Sequence, residues 1–180
     1  MSEEKTVRDY GMDLLRPYIE KISHEEIRSF CEEALFYVPD SFFSLPASSS
    51  GKYHPTYSLG TGGLVRHTAA ALYFAETLFV LPEFKFTSKR RDYIRVALIL
   101  HDTQKPSKTH PIEVKFMLEP IRDKYPQIFD QVIPLIECHM GQWDYFGKFP
   151  QPKSSMERFV HLCDYLASRK AVSVELFRQD

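Results

Sequence analysis

The chain has 180 residues, of which 43% are hydrophobic, and its 23 basic residues are balanced by 24 acidic ones. This length supports one hydrophobic core and is short for two, so a single domain over residues 1–180 is expected. The balanced charge argues against stable binding of duplex nucleic acid and against a membrane-surface protein.

Cysteine usage and the N-terminal residues predict a cytoplasmic protein. The three cysteines show no CxxC spacing, which fits a reducing compartment better than a disulfide framework. Residues 1–10 are charged, unlike a signal peptide, and no apolar run approaches the roughly 18 residues of a membrane span.

Residues 1–39 predict two N-terminal helices. The first covers about residues 3–22 and is interrupted or restarted at Pro17. The second begins with a capping box, in which Ser23 is the cap and Glu26 lies three residues later. Apolar residues then follow at helical spacing until Pro39 stops the run.

Residues 40–63 change character, because "SLPASSSGKYHPTYSLGTGG" is rich in Ser, Gly and Pro and has no helical or strand periodicity. One interpretation is a surface linker. The other is a loop near a functional site, because loops of about twenty residues are uncommon inside compact domains. This loop carries Lys52, Tyr53 and His54. Both interpretations remain open at this stage.

Helical patterns resume after the loop and continue almost to the end of the chain. They cover residues 63–80, 88–102, 111–124, 127–140 and 154–172, with Ser88 as one cap and a Ser154–Glu157 capping box opening the last helix. No hairpin pattern of alternating apolar runs stands out. The predicted fold is an all-α bundle of about seven helices, with residues 63–172 as its core.

Four of these helices place a His or Asp on an apolar face. In "LILHDTQKP", residues 98–106, an apolar run ends in His101 and Asp102. His67, His139 and Asp164 also follow apolar residues at helical spacing. One such histidine is more often a hydrogen-bonded core residue than a ligand. Several imidazoles and carboxylates that converge are most simply satisfied by a divalent metal, because buried carboxylates need a cation.

The order of these residues resembles the H…HD…D signature of the HD metal-dependent phosphohydrolase superfamily. The flanking residues agree: "GGLVRHT" resembles the family's "GGL..HT", "LILHDTQK" its "LLHDIGK", and "LCDYLASR" its "ADxxxSR". The resemblance covers about residues 52–172 and implies an HD-domain-like helical bundle.

The resemblance also implies a ligand set for two divalent ions, with Mn, Fe, Mg, Ni and Zn as candidates. The first ion would be held by His67, His101, Asp102 and Asp164, and the second by Asp102, His110 and His139. Alternatives are an exposed cap residue for His110 and a core histidine for His139. His54 is a further ligand, a substrate contact or a solvated loop residue.

The chemistry implied is hydrolysis of a phosphoester. A metal pair lowers the pKa of water to generate hydroxide, and it clamps phosphoryl oxygens. Asp102 is then a catalytic residue, while Lys105, at a position where the family commonly has lysine, and Arg169 are candidates to compensate phosphoryl charge. Arg66 and His24 are expected at the surface, and His161 behind the ligands or at the surface.

The expected substrate is a phosphorylated small molecule, a nucleotide or a short oligonucleotide. Five aromatic residues flank the proposed ligands and could stack on a base, although core or rim positions are the commoner role: Tyr53, Tyr57, Trp143, Tyr145 and Phe146. Two other functions fit the family. One is a di-iron oxygenase with the same six ligands, and the other is a non-catalytic sensor that binds a ligand.

Overall fold

The computed structural model describes residues 5–48, 51–52, 54–144 and 147–172, and these residues form α-helices and no strand. The helices are α1 (Val7–Ile19), α2 (Glu25–Phe36), α3 (Asp40–Ser44), α4 (Gly63–Leu78), α5 (Ser88–Leu100), α6 (His110–Leu118), α7 (Pro126–Glu137) and α8 (Ser155–Ala167). The all-α prediction is confirmed. The eight helices exceed the predicted number of about seven because α3 forms inside the segment expected to be a loop.

Among the described residues, no helix has both the length and the apolar character needed to cross a bilayer. Three of the aromatic residues expected to flank the site, Tyr53, Tyr145 and Phe146, lie outside the described residues.

The centre of the bundle is built from α4 and α5. Every residue of α5 from Asp92 to Leu100 is buried, and α4 buries the run Thr68–Leu72. Because α4 is rich in alanine here, neighbouring helices can approach closely, and α4 contacts α1, α3, α5 and α8. His67 lies near the start of α4, and α5 ends immediately before His101, so the packing of these two helices positions both predicted ligands.

The segment 40–63 is tied to the bundle. Leu64 N–H donates to the Leu45 carbonyl at 2.8 Å, and the Ser58 carbonyl occupies the space that a side chain at Gly63 would need. Arg66, which was expected at the surface, is half-buried, and its guanidinium donates to the carbonyls of Tyr57, Leu59 and Thr61. The interpretation of this segment as a plain surface linker is therefore wrong for its described part.

The predicted helix boundaries at three positions are also wrong. Helix α1 continues through Pro17, which falls in its last turn and so removes only one backbone hydrogen bond. Thr87, not Ser88, caps α5, with its side chain accepting from Arg90 N–H. Ser23 does not cap α2, because His24 occupies the cap position and makes no side-chain cap bond.

A carboxylate from a distant helix caps α2 instead. Asp92 Oδ2 accepts the backbone N–H groups of Ser23 and His24, both at 3.0 Å, and the Ser23 hydroxyl at 2.9 Å. His24 Nδ1 lies 2.7 Å from the same oxygen, so His24 is a hydrogen-bond partner of Asp92 rather than a plain surface residue. Asp92 is fully buried, and Arg95 Nη1 pairs with its other oxygen at 2.7 Å.

Replacement of Asp92 by alanine is expected to lower the free energy of unfolding by about 3 kcal/mol at pH 7, because it leaves buried donors unpaired. Burial would raise the pKa of Asp92, but hydrogen bonds from His24 and Ser23 and the charge of Arg95 outweigh it and lower the pKa. The stabilisation is thus present above about pH 4 and is lost as the pH falls through the lowered pKa.

Urea denaturation at several pH values measures the free energy of unfolding of the Asp92→Ala variant, with Asp123→Ala, at an exposed position, as the control. Equal stability of the two variants at pH 7 would contradict the prediction.

Candidate metal centre

Six buried side chains meet where the ends of several helices converge, and these are the six residues expected as ligands. They are His67 in α4, His101 and Asp102 directly after α5, His110 at the start of α6, His139 after α7, and Asp164 in α8. None of the six is more than 6% exposed. The fold therefore brings together residues that are almost 100 positions apart in sequence.

One side of the cluster surrounds Asp102 Oδ2 and Asp164 Oδ1. His67 Nε2 lies 2.9 Å from Asp164 Oδ1 and 3.6 Å from Asp102 Oδ2. His101 Nε2 lies 3.3 Å from Asp102 Oδ2 and 3.7 Å from Asp164 Oδ1. Two imidazole nitrogens thus face two carboxylate oxygens.

The other side of the cluster surrounds the second oxygen of Asp102. Asp102 Oδ1 lies 3.1 Å from His110 Nε2 and 3.6 Å from His139 Nε2. The two histidine Nε2 atoms are 3.2 Å apart. Asp102 therefore stands between the two histidine pairs, with a different oxygen facing each pair.

In three of the histidines, a backbone carbonyl determines which of the two ring nitrogens carries the proton. The Nδ1 atoms of His101, His110 and His139 lie 2.7, 2.9 and 2.7 Å from the carbonyl three residues earlier. A carbonyl can only accept, so each Nδ1 is the N–H donor, and in the neutral ring Nε2 carries the lone pair. This arrangement, with the far nitrogen held by a hydrogen bond, is typical of metal-ligating histidines.

The lone pairs of the histidine Nε2 atoms and the carboxylate oxygens face the centre of the cluster, where a cation would bind them favourably. The Nε2 atoms of His110 and His139 point at each other and at a carboxylate, and such an arrangement of acceptors is repulsive without a positive charge. His101 Nε2 and Asp102 Oδ1 are buried, and within the described part of the chain neither atom has a hydrogen-bond partner. Ligand atoms lie within 4.8 Å of one another in the group His67, His101 and Asp164 and in the group His101, Asp102 and His139. These buried groups could hold metal ions.

The pKa values show how strongly the carboxylates attract positive charge. Burial would raise the pKa of Asp102 and of Asp164, but nearby cationic and donor groups, above all His101, hold both well below the usual range. Burial would lower the pKa of His101, yet the two carboxylates raise it to about 10. Burial lowers the pKa of His139, which therefore stays neutral at pH 7.

A cavity of about 360 Å³ opens above the cluster, and both predicted cationic residues line it. Lys105 Nζ lies 2.7 Å from Asp102 Oδ2, and the side chain is 25% exposed. The Arg169 guanidinium lies over the rings of Trp143 at 5.3 Å and Tyr165 at 4.5 Å. Arg169 Nε has no hydrogen-bond partner among the residues that the structure describes.

His54 also lines this cavity, with its ring centroid 6.1 Å from that of His67. Burial, together with the charges of His67 and Lys105, lowers the pKa of His54 to about 4, so the ring is neutral at pH 7. His54 is thus half-buried at the site rather than fully solvated. Trp143, one of the aromatic residues considered for stacking on a base, lines the same cavity.

Two aromatic residues support the site from behind. His161 Nδ1 donates to the His139 carbonyl at 2.7 Å, and its ring takes the space in which a Cβ at Gly141 would lie. Tyr57 Oη donates to the Ala167 carbonyl at 2.8 Å and so connects the loop before α4 to the end of α8. His161 therefore lies behind the proposed ligand His139. This is one of the two positions expected for it, the other being the surface.

Sequence reasoning missed several residues that line this cavity or the space beside it. Met140 and Ser168 lie in the wall of the first cavity, and Lys108 and Lys148 line an adjoining one. A signal existed for Lys108, because "KPSKTH" places it between Lys105 and His110. No local pattern marks the others, which reach the site only through packing.

Comparison with known proteins identifies the family. The model of the family described as HD domain matches residues 64–169, which is more than half of the chain and includes all six clustered residues. No curated protein and no solved structure matches the chain significantly. The chain therefore belongs to the HD domain family, within a superfamily of metal-dependent, hydrolase-like proteins.

Proposed function

We propose that the protein is a phosphohydrolase that cleaves a phosphoester, of a nucleotide or short oligonucleotide, with two divalent metal ions. The observation that carries the proposal is the position of Asp102, whose two oxygens face two different histidine pairs. One carboxylate between two sets of imidazoles could serve as a ligand for each of two divalent ions.

The proposed ligands divide along the two sides of Asp102. The first ion would be held by His67, His101, Asp102 Oδ2 and Asp164, and the second by Asp102 Oδ1, His110 and His139. Bound divalent ions would supply Lewis-acid polarisation of a phosphoryl oxygen and would lower the pKa of water. The carbonyl bonds at Nδ1 keep three of the rings in the orientation that this role needs.

The cationic residues of the cavity would act on the phosphoryl group. Lys105, positioned by Asp102, holds a proton on Nζ and can donate it in a hydrogen bond to a phosphoryl oxygen. Arg169 is stacked on two rings, and this contact restricts the guanidinium plane without using its Nε–H group. Both residues therefore favour an anionic substrate and would offset charge that develops on phosphorus.

The walls of the cavity support a nucleotide as the phosphoester. Trp143 stacks on Tyr165 with ring centroids 5.6 Å apart and an interplanar angle of 12°, a contact that favours this orientation of its ring. A base could stack near this ring while its phosphate lies at the ligand cluster. His54, neutral and half-buried, is proposed as a substrate contact rather than a ligand.

The first test combines metal analysis with an activity screen. Protein purified without chelator is analysed for metal content. Phosphate release from mononucleotides and chain cleavage of short oligonucleotides, followed by chromatography, are measured with added Mn²⁺. The expected result is about two metal ions per chain and turnover of at least one nucleotide. Two irons with O2 consumption and no hydrolysis of any phosphoester would favour the di-iron oxygenase, and a metal-free, inactive protein would overturn the proposal.

A further inference from the structure

A second cavity of about 490 Å³ adjoins the one above the ligand cluster. Four residues line both cavities: Lys105, His110, Met140 and Trp143. These four shared residues place the two cavities next to each other, on the same side of the ligand cluster. His110, whose Nε2 is 3.1 Å from Asp102 Oδ1, belongs to the cluster and to the second cavity alike.

The second cavity combines apolar walls with positive charge. Leu45, Pro46 and Phe149 provide apolar surface. Lys108 and Lys148 join Lys105 as cationic lining residues, against the single carboxylate of Asp144, which accepts the Phe149 N–H at 2.7 Å. The lining is therefore net positive, and it has room for a ring beside an anion.

Lys108 differs from Lys105 in its surroundings. Lys105 is engaged with Asp102, whereas Lys108 is exposed and makes no ion pair within the part of the chain that the structure describes. Lys108 lies three residues after Lys105, in the turn that leads from the HD pair to His110. A cation in this position can meet a second negative group of a substrate whose first phosphate lies at the cluster.

We propose that the second cavity is a subsite for an adjoining nucleotide, so that the preferred substrate contains at least two nucleotides joined by a phosphodiester. The sugar and base would lie against Leu45, Pro46 and Phe149, and the second phosphate near Lys108. This inference rests on the proposed function. Hydrolysis of the linkage consumes one water and breaks one P–O bond, which leaves a phosphate monoester on one product and a hydroxyl on the other.

The chain offers a direct readout of binding, because Trp143 is its only tryptophan and lines both cavities. Tryptophan fluorescence can be titrated with a 5′-phosphorylated dinucleotide that has a non-hydrolysable linkage, with a mononucleotide and with a nucleoside triphosphate. The dinucleotide is expected to bind about tenfold more tightly than the mononucleotide, which corresponds to about 1.4 kcal/mol. Binding is thereby measured apart from turnover.

Lys108→Ala is expected to bring the dinucleotide-to-mononucleotide affinity ratio close to one. Lys85→Ala, an exposed lysine that lines neither cavity, should keep the wild-type ratio. Equal affinities in the wild type, or a ratio unchanged in Lys108→Ala, would overturn the subsite. A triphosphate that binds as tightly as the dinucleotide, and depends equally on Lys108, would also overturn it, in favour of a polyphosphate site.

Turnover assays with the hydrolysable ligands, in which nucleotide and nucleoside products are separated by chromatography and inorganic phosphate is also measured, separate this inference from the proposed function. Turnover of mononucleotides without any dinucleotide preference would overturn the subsite and support the phosphohydrolase. A Lys108-dependent dinucleotide preference in binding, without turnover of any ligand, would support the subsite and overturn the phosphohydrolase.

Discussion

Asp102→Ala is expected to reduce the rate of phosphoester hydrolysis by at least about 10³-fold and to abolish metal binding, while the helical circular dichroism spectrum remains. The reason is geometric, because both oxygens of this one carboxylate face the centre of the cluster. Its removal would take one ligand from each proposed ion and would release Lys105 from its position. Metal content and initial rates with Mn²⁺ measure the effect.

A second variant distinguishes loss of the carboxylate charge from a folding defect. Asp102→Asn keeps the size of the side chain and one carbonyl oxygen, but it removes the charge, and we expect the same loss of metal and activity. Asp123→Ala, at an exposed position, is the matched control and should retain both. Wild-type turnover in Asp102→Asn would refute the role proposed for this residue.

His139→Ala is expected to lower the metal content from about two ions to about one per chain and to reduce the rate by at least about a hundredfold. Replacing even the outer partners of metal ligands typically costs 10–100-fold. His139 faces only one oxygen of Asp102, so the His67, His101 and Asp164 group should keep its ion. Elemental analysis of the purified variant gives the stoichiometry.

Histidines elsewhere in the cavity provide the comparison for this result. His67→Ala should also leave about one ion, because it removes a ligand from the opposite side of Asp102. His54→Gln should keep two ions if His54 contacts substrate rather than metal. A His139→Ala protein that still binds two ions would exclude His139 as a ligand and the two-metal arrangement proposed for the cluster.

Much of the candidate site could be predicted because helical periodicity is local. The spacing of apolar residues placed His67, His101, His139 and Asp164 on inward faces, and all four are buried. The resemblance to a known signature then grouped them with Asp102 and His110. Seven of the eight described α-helices were located for the same reason, since each apolar stripe lies within a single continuous segment, whereas the short α3 was missed.

Contacts between distant segments could not be predicted in this way. The capping box at Ser23 looked complete in the local sequence. Instead, the carboxylate of Asp92, 69 residues away, accepts the backbone N–H of Ser23. Arg66 appeared to face solvent because its neighbour His67 faces inward, but loop carbonyls lie where its side chain emerges. In both cases a partner from another segment outcompeted the local preference.

The sequence by itself determined the helical class, the inward-facing histidines and aspartates, and their order along the chain, because each depends on residue types and spacing within one helix. Only the tertiary structure decided which oxygen of Asp102 faces which histidines, how Arg169 stacks on Trp143 and Tyr165, and where the second cavity opens. These features depend on how the helix ends pack against one another, and packing is a property of all the helices together.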